Sequence, residues 1–177
     1  MKPPRQIETD RLVLRVPSLS DVQVIFSSYA RDNEITRYLT WRPHQSPQET
    51  ERFVSGCIAA WNGDTRFPYV MELKKSDEVI GMIELRLNAF KADVGYVVSR
   101  PHWGKGLATE ALQQLVDWSF EQESIYRVWA FCDVDNKASA RVLEKVGMVR
   151  EGLLRRQLVH PNLSDEPRDC YCYAAVK

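Results

Sequence analysis

The sequence lacks the features that characterise several large classes of protein. Its 24 Lys and Arg residues match 24 Asp and Glu residues, and this balance disfavours nucleic acid or an anionic membrane as the main partner. No apolar run approaches the length of a membrane-spanning helix, and the opening residues do not resemble a signal peptide. We therefore expect a cytoplasmic protein whose 177 residues form a single domain, residues 1–177, with its own core.

Metal-binding residues are scarce as well. Of the four cysteines, Cys57 and Cys132 stand in apolar surroundings, as small core residues do. Cys170 and Cys172 would share one face of a strand, but no second cluster of cysteines or histidines accompanies them. We predict free thiols and no metal site.

The glycine-rich motifs of the common nucleotide-binding folds are missing. The chain has eight glycines, but neither G-x-x-x-x-G-K-[ST] nor G-x-G-x-x-G occurs in it. Their absence argues against a nucleotide-phosphate binder of the P-loop or dinucleotide-binding type. One short glycine turn remains as a candidate ligand site, Gly104-Lys105-Gly106.

Hydrophobic periodicity predicts the element order β-α-α-β-β-β-α-β-α-β-β. Strands are predicted at residues 11–16, 67–73, 79–87, 93–98, 128–132, 148–160 and 170–176. Helices are predicted at residues 21–29, 46–61, 107–120 and 136–146. The second helix opens on a capping box that begins at Ser46 and has Pro47 at its first helical position. This order indicates an α/β or α+β fold with a mixed, mostly antiparallel sheet and helices on both faces.

Residues 96–111 combine a strand, a Gly-x-Gly turn and the start of a long amphipathic helix. Gly104 and Gly106 allow close approach of the backbone to a ligand, and the helix start offers unpaired N–H groups with a positive dipole. These features suit a phosphate or pyrophosphate, to which Lys105 adds a charge. Alone, the pattern also fits a tight turn that only leads into a helix.

Together with three further segments, this stretch resembles the GNAT acetyltransferases, and more narrowly the RimJ/RimL group. Gly95-Tyr96-Val97-Val98 followed by HWGKGLATEA at residues 102–111 is similar to the coenzyme A motif. ETDRLVLR at residues 8–15, NKASARVLEKVGM at 136–148 and EGLLR at 151–155 are similar to other parts of that group. The resemblance runs in order over residues 8–176. It implies an acetyl-CoA-dependent N-acetyltransferase of ribosomal-protein N-termini or other amines.

The sequence departs from the family pattern at four positions. Pro101 stands where the broader family has Gln or Arg, and Arg100 is one residue early. Leu143 occupies the place of a general-acid tyrosine, which makes Ser139 the expected partner of the leaving thiolate. Met148 replaces a usual Phe and conserves apolar character.

The resemblance also implies how acetyl-CoA is bound. Strand 93–98 would splay from strand 128–132 and leave a gap for the pantetheine arm. Backbone groups of Tyr96, Val97 and Val98 would pair with that arm, and Asn136 would reach it from the next helix. The pyrophosphate would be bound by the turn and the helix start, which comprise His102, Trp103, Gly104, Lys105, Gly106, Leu107, Ala108 and Thr109.

Direct transfer of the acetyl group needs a base for the amine and a donor for the thiolate. Ser139 lies three residues after Asn136 on one helical face, although it also fits an ordinary polar helix position. Glu84 and Asp93 are the candidate bases. Burial in a dry cleft would raise the pKa of either acid, whereas on a solvated strand face each is only a polar position.

The acceptor and the assembly are less defined by the sequence. Tyr38, Trp41, Trp61 and Tyr173 are candidates for the acceptor pocket, although such aromatic residues more often serve packing. A catalytically weak acyl-CoA-binding sensor is the alternative to an enzyme. Because related proteins often pair, we also expect a homodimer.

Overall fold

A computed structural model describes residues 1–177, which form one eight-stranded sheet with helices packed against it. The strands are β1 Gln6–Glu8, β2 Leu12–Arg15, β3 Arg66–Leu73, β4 Glu78–Asn88, β5 Lys91–Val98, β6 Arg127–Asp133, β7 Val149–Leu158 and β8 Arg168–Val176. The helices are α1 Val22–Ile25, α2 Pro47–Ala60, α3 Leu107–Glu121 and α4 Lys137–Lys145. None of them combines the length and apolar character that a membrane crossing requires.

The strand order across the sheet is β1-β2-β3-β4-β5-β6-β8-β7. Every neighbouring pair is antiparallel except β5 and β6. The expected mixed, mostly antiparallel sheet is therefore confirmed. The antiparallel neighbours are mostly hairpins that follow each other in the chain, and the parallel pair is joined by helix α3, as a parallel connection requires.

Helices cover both faces of the sheet, because the strands bury apolar residues on both sides. Ile83 and Leu85 belong to a core that includes the buried stripe of α3. Met82 belongs to a second core, formed with α1 and α2. Ile83 and Met82 are adjacent in β4 and point to opposite faces of the strand, which places one core on each side. Each fully buried aliphatic side chain contributes about 1.5–3 kcal/mol to folding.

Helix α2 begins where the sequence predicted it. Ser46 is the N-cap, its hydroxyl accepts from the N–H of Glu49 at 3.4 Å, and Pro47 is the first helical residue. The Glu49 carboxylate accepts from the N–H of Gln45 at 2.6 Å, one residue before the cap. The predicted capping box is therefore altered, because Glu49 accepts from the N–H of Gln45 and not from that of Ser46, but the two bonds still satisfy N–H groups at the entry to the helix.

The predicted helix at residues 21–29 is less regular than expected. A 3₁₀ turn, Leu19–Asp21, precedes α1, and a π-helical turn, Phe26–Ala30, follows it. The Ser27 hydroxyl donates to the carbonyl of Gln23 at 2.9 Å, and such bonds compete with the helical pattern. The sequence also failed to predict β1, a three-residue edge strand with little apolar content.

Strands β5 and β6 separate after a short parallel start. Their three paired positions are Lys91 with Arg127, Ala92 with Val128 and Asp93 with Trp129. Beyond these pairs β5 stays bonded to β4 up to Val98, while β6 stays bonded to β8. Each strand therefore follows its own antiparallel neighbour, and the expected gap opens between them.

Candidate functional site

A cavity of about 570 Å³ lies where β5 and β6 separate. It brings together the candidate catalytic residues and part of the predicted pantetheine site, whereas Val98 and residues 102–109 lie outside its lining. The cavity is lined, among others, by Tyr38, Trp41, Glu84, Asp93, Tyr96, Val97, Asn136 and Ser139. Trp61 and Tyr173 lie outside it and pack in the core, where Trp61 contacts Phe67 and Tyr69 edge-on.

The entrance to helix α3 offers a row of unused donors. The N–H groups of residues 104–109 make no hydrogen bond within the protein. Gly104 and Gly106 have φ angles of 73° and 77°, in the left-handed region that favours glycine. Six consecutive free N–H groups at a helix start form an anion site of the kind that binds a phosphate or pyrophosphate.

His102 and Trp103 build this turn and do not extend the row of donors. Their N–H groups donate to the carbonyls of Ser99 and Arg100 at 3.0 and 3.1 Å. The His102 ring is buried, with Nδ1 2.9 Å from the Ser99 hydroxyl. Trp103 Nε1 donates to the carbonyl of Val98 at 2.7 Å. A ligand that pairs with the end of β5 would therefore share the Val98 carbonyl with Trp103.

Glu110 connects the turn to the first hairpin of the chain. Its carboxylate accepts from the hydroxyl of Thr9, from the N–H of Arg11 at 2.8 Å and from Arg11 Nε at 2.6 Å. Burial raises the pKa of Glu110, but the hydrogen bonds from Thr9 and Arg11 outweigh it and lower the pKa below its ordinary value. Arg11 also donates to the carbonyl of Lys105 at 3.0 Å. Arg11 therefore holds in place the turn whose N–H groups, at residues 104–109, are free.

Tyr96 on β5 meets three residues of the opposite wall of the gap, namely Cys132 on β6 and Asn136 and Ser139 at the start of α4. Asn136 is the N-cap of α4, and its Oδ1 accepts from the N–H of Ser139 at 3.1 Å. The Ser139 hydroxyl lies 2.9 Å from the hydroxyl of Tyr96, and burial raises the pKa of that phenol. Cys132 lines the same wall, and burial raises the pKa of its thiol to about 12, with a small opposing effect from Ser139.

The two candidate bases are held by arginines. Arg86 donates to Asp93 from Nε at 2.5 Å and to Glu84 from Nη1 at 2.7 Å. Arg66 donates from Nε to the other oxygen of Glu84 at 2.8 Å. The sheet register explains the cluster, since Glu84 and Arg86 are two residues apart on β4 and Asp93 is paired with Arg86 on β5. No sequence pattern predicted that both carboxylates would be paired.

The outer end of the cavity is formed by two loops. The Asn162 amide donates to the carbonyls of Thr36 and Trp41 at 2.7 and 2.8 Å, which joins the β7–β8 loop to the segment after α1. His160 lines the cavity beside Tyr38, and its buried Nδ1 makes no hydrogen bond. Neither Asn162 nor His160 stands in a motif, so the sequence held no signal for them. No cluster of three or more potential metal ligands occurs.

Comparisons with known proteins agree with this geometry. Residues 11–149 match the acetyltransferase (GNAT) domain family. The chain is 30% identical over 174 residues to the uncharacterized N-acetyltransferase YoaA of Bacillus subtilis, covering 97% of this chain and 96% of that protein. It is 28% identical over 135 residues to the ribosomal-protein-serine acetyltransferase of Escherichia coli, covering 75% and 73%.

One solved structure with a similar fold contains bound ligands. The crystal structure of the microcin C7 self-immunity acetyltransferase MccE, in complex with acetyl-CoA and AMP, matches with a TM-score of 0.89. The match covers 99% of this chain and 98% of MccE at 19% identity. At that identity the likeness establishes a shared fold.

Proposed function

Because this chain belongs to the GNAT family of acetyltransferases, we propose that its cavity transfers an acetyl group from acetyl-CoA to a primary amine, on a protein N-terminus or a small molecule. The resemblance found in the sequence is confirmed, and the protein is an acetyl-CoA-dependent acetyltransferase. The observation that carries the proposal is the row of free N–H groups at residues 104–109, at the end of β5 where the strands have separated.

The residues present suit coenzyme A. The free N–H groups of residues 104–109 would bind the pyrophosphate, with Lys105 supplying a nearby positive charge. The edge of β5 from Tyr96 to Val98 lacks a strand partner on the β6 side and would pair with the pantetheine amides. Asn136 borders the same gap. Acetyl-CoA supplies the activated acetyl group as a thioester.

The protein's own side chains would handle two protons. Glu84 or Asp93 would accept the proton of the acceptor amine, directly or through a water. Since Arg86 binds both carboxylates, the acid that acts must accept a proton while it remains close to a guanidinium. Ser139 would hold a donor hydrogen at Oγ for the sulfur that carries negative charge as the acetyl group leaves.

The outer loops would bind the acceptor. Tyr38 and Trp41 present aromatic faces to the cavity, and Asn162 fixes the loop that carries Trp41. The relative in Escherichia coli is named a ribosomal-protein-serine acetyltransferase, which supports a protein N-terminus as one acceptor. A small amine fits the balanced charge of the site, where two arginines offset two carboxylates.

One observation favours a second function, that of an acyl-CoA-binding sensor with weak catalysis. Both candidate bases are ion-paired, so neither is the unpartnered carboxylate that efficient proton removal prefers. A sensor would keep the donor row at residues 104–109 and need no base. The two functions therefore predict the same affinity for acetyl-CoA and different turnover.

The test is the release of coenzyme A from acetyl-CoA with a panel of acceptors, namely tripeptides that begin with Ser or Ala, small primary amines and polyamines. We expect turnover with at least one acceptor, and Glu84→Gln or Asp93→Asn should lower kcat about 10²–10⁴-fold if that acid is the base. Glu51→Gln, an exposed acid on α2 that forms no ion pair, is the matched control. Tight binding of acetyl-CoA without turnover on any acceptor would favour the sensor.

A further inference from the structure

Tyr96 and Ser139 meet across the gap that separates β5 from β6. Tyr96 lies on β5, three residues beyond its last pair with β6, and Ser139 lies in the first turn of α4. Their hydroxyl oxygens are 2.9 Å apart, which is hydrogen-bond distance. The contact therefore joins the two walls of the cavity at the residue expected to act on the leaving sulfur.

The direction of this hydrogen bond decides what Ser139 can do. A serine hydroxyl has one hydrogen to donate and two lone pairs that accept. The Ser139 hydroxyl lies at hydrogen-bond distance from Tyr96, and it also lies close enough to the Cys132 thiol, inside the cavity, to lower the pKa of that thiol. If Ser139 donates to Tyr96, its single hydrogen is used. If Tyr96 donates to Ser139, the serine hydrogen stays available to the cavity.

Two features favour Tyr96 as the donor. A phenol, with an ordinary pKa of about 10, is far more acidic than an aliphatic hydroxyl and is therefore the stronger hydrogen-bond donor of the two. Its other acceptor is the backbone carbonyl of Ser139 at 3.3 Å, which is longer than the 2.9 Å to the hydroxyl. The position of Ser139 is itself fixed, because Asn136 accepts from its N–H as the cap of α4.

We propose that Tyr96 is a positioning residue that donates its phenolic hydrogen to Ser139 Oγ and thereby directs the serine hydrogen into the cavity. The inference rests on the proposed function, in which Ser139 is the donor to the leaving sulfur. Leu143 provides no hydroxyl from α4, and Tyr96 brings a phenol to the same region from the opposite wall. Tyr96 thereby leaves the hydrogen of the Ser139 hydroxyl free to be donated to the leaving sulfur.

The experiment is a double-mutant cycle of Tyr96→Phe and Ser139→Ala. Turnover is measured by coenzyme A release with the best acceptor of the panel. Ser139→Ala should lower kcat about 10²–10³-fold, the effect of losing one donor at a developing negative charge. Tyr96→Phe should lower kcat about five- to tenfold, as expected for one lost hydrogen bond, with little change in the Kd of coenzyme A.

The decisive comparison is Tyr96→Phe in the Ser139→Ala background. If Tyr96 acts through Ser139, the second substitution should change kcat less than twofold there, because the interaction it supports is already gone. A full five- to tenfold loss in that background would overturn the proposal and make Tyr96 an independent group. If Ser139→Ala alone retains the wild-type kcat, the assignment of Ser139 in the proposed function fails instead.

Tyr69→Phe controls for the loss of a buried tyrosine hydroxyl. The Tyr69 hydroxyl donates to the carbonyl of Pro4 at 2.6 Å, outside the cavity. We expect this variant to lower the melting temperature and leave kcat unchanged. Melting temperatures of all variants then separate a folding defect from an effect on catalysis, and a Tyr96→Phe loss matched by Tyr69→Phe would contradict the positioning role.

Discussion

Arginine partners set the properties of individual carboxylates in this protein. Arg11 and Thr9 hold Glu110 at the start of α3, whereas Arg66 and Arg86 hold Glu84 in the cavity. The Glu110 oxygens accept three hydrogen bonds from protein groups, and the residue does not line the cavity. Its contribution is therefore to stability, while the pairing of Glu84 bears on proton transfer.

Glu110→Gln should lower the free energy of unfolding by about 1–3 kcal/mol at pH 7, because hydrogen bonds to a charged group are lost. The folded-state pKa of Glu110 lies below its ordinary value of 4.5. Its contribution is thus fully present above about pH 4.5 and is lost as the pH falls through the folded-state pKa. Urea unfolding from pH 7 to pH 3 should show the difference from wild type shrinking below pH 4.5.

Glu121→Gln is the control for that measurement, since Glu121 is an exposed acid at the last residue of the same helix. Its effect should stay within about 0.5 kcal/mol at every pH. If the loss of unfolding free energy caused by Glu110→Gln became larger toward acid pH, a lowered pKa of Glu110 in the folded state would be contradicted.

Residue identities in the site were predictable where a motif carried them. Tyr96, Asn136 and Ser139 stood in segments that resemble a family and line one cavity, whereas Gly106, from the same motif as Tyr96, lies outside its lining at the start of α3. The arginine partners of Glu84 and Asp93 depend on strand register, which pairs residues distant in sequence. The pattern of residues within one strand does not show which residue of the neighbouring strand lies opposite, so this pairing could not be predicted.

At the level of elements, the turn before α3 depends on two glycines. Gly106 is the residue just before the helix, with φ 77°, and a Cβ there would lie 3.6 Å from the Arg11 guanidinium. A side chain at position 106 would therefore be disfavoured mainly by the positive φ angle and not by a clash with a neighbouring atom. Valine would add β-branched strain to that angle, so alanine is the cleaner probe.

Gly106→Ala should lower the free energy of unfolding by about 1–2 kcal/mol, the cost of a left-handed conformation for an L-residue. It should also weaken coenzyme A binding more than tenfold, because a relaxed turn no longer aims the N–H groups of residues 104–109 together. Calorimetric titration with coenzyme A and thermal unfolding measure the two effects. If a folded Gly106→Ala variant bound coenzyme A with wild-type affinity, the N–H groups of residues 104–109 would not be part of the binding site.

Gly56→Ala provides the matched control. Gly56 lies inside α2, and a Cβ built there meets no atom within 4 Å. Alanine should raise the free energy of unfolding by about 0.5–1 kcal/mol through helix propensity, and coenzyme A affinity should not change.

Element prediction succeeded where periodicity was strong and failed where it was weak. The apolar stripe of α3 and the Ser46-Pro47 start signal of α2 predicted the bounds of both helices to within a residue or two. Strand β1 has three residues and is held by pairing with β2, which is a tertiary effect. The π-helical turn after α1 contains a hydrogen bond from the Ser27 hydroxyl to the carbonyl of Gln23, a local feature that hydrophobic periodicity does not predict.

At the level of the whole molecule, the gap divides the sheet unequally. Strands β1 to β5 lie on one side, β6 to β8 on the other, and three residue pairs join them directly. A ligand that fills the gap contacts both sides at once. Binding should therefore stabilise the sheet as a unit, in addition to any local effect at α3.

Acetyl-CoA at a hundred times its Kd should stabilise the protein by about 2.7 kcal/mol. For a chain of this length the melting temperature should then rise by about 5–11 °C. Differential scanning fluorimetry with acetyl-CoA, coenzyme A, ATP and NAD measures this effect. An equal shift with NAD or ATP would contradict specificity for coenzyme A.

Hydrogen exchange locates the same effect in the sheet. Amides at the ends of β5 and β6 should exchange more slowly with acetyl-CoA, whereas β1 at the far edge should not change. The homodimer expected from the sequence stays a prediction, and sedimentation at micromolar concentration tests it against the 20.5 kDa monomer.

The short pairing of β5 with β6 has a consequence for the lifetime of the protein in a cell. Past Asp93 the two strands present unbonded edges inside the sheet, and such edges template aggregation when they become accessible. A co-substrate in the gap shields them and reduces the transient opening that proteases and chaperones act on. The amount of this enzyme should therefore follow the supply of acetyl-CoA, so that starvation for acetyl groups removes the catalyst as well as its substrate.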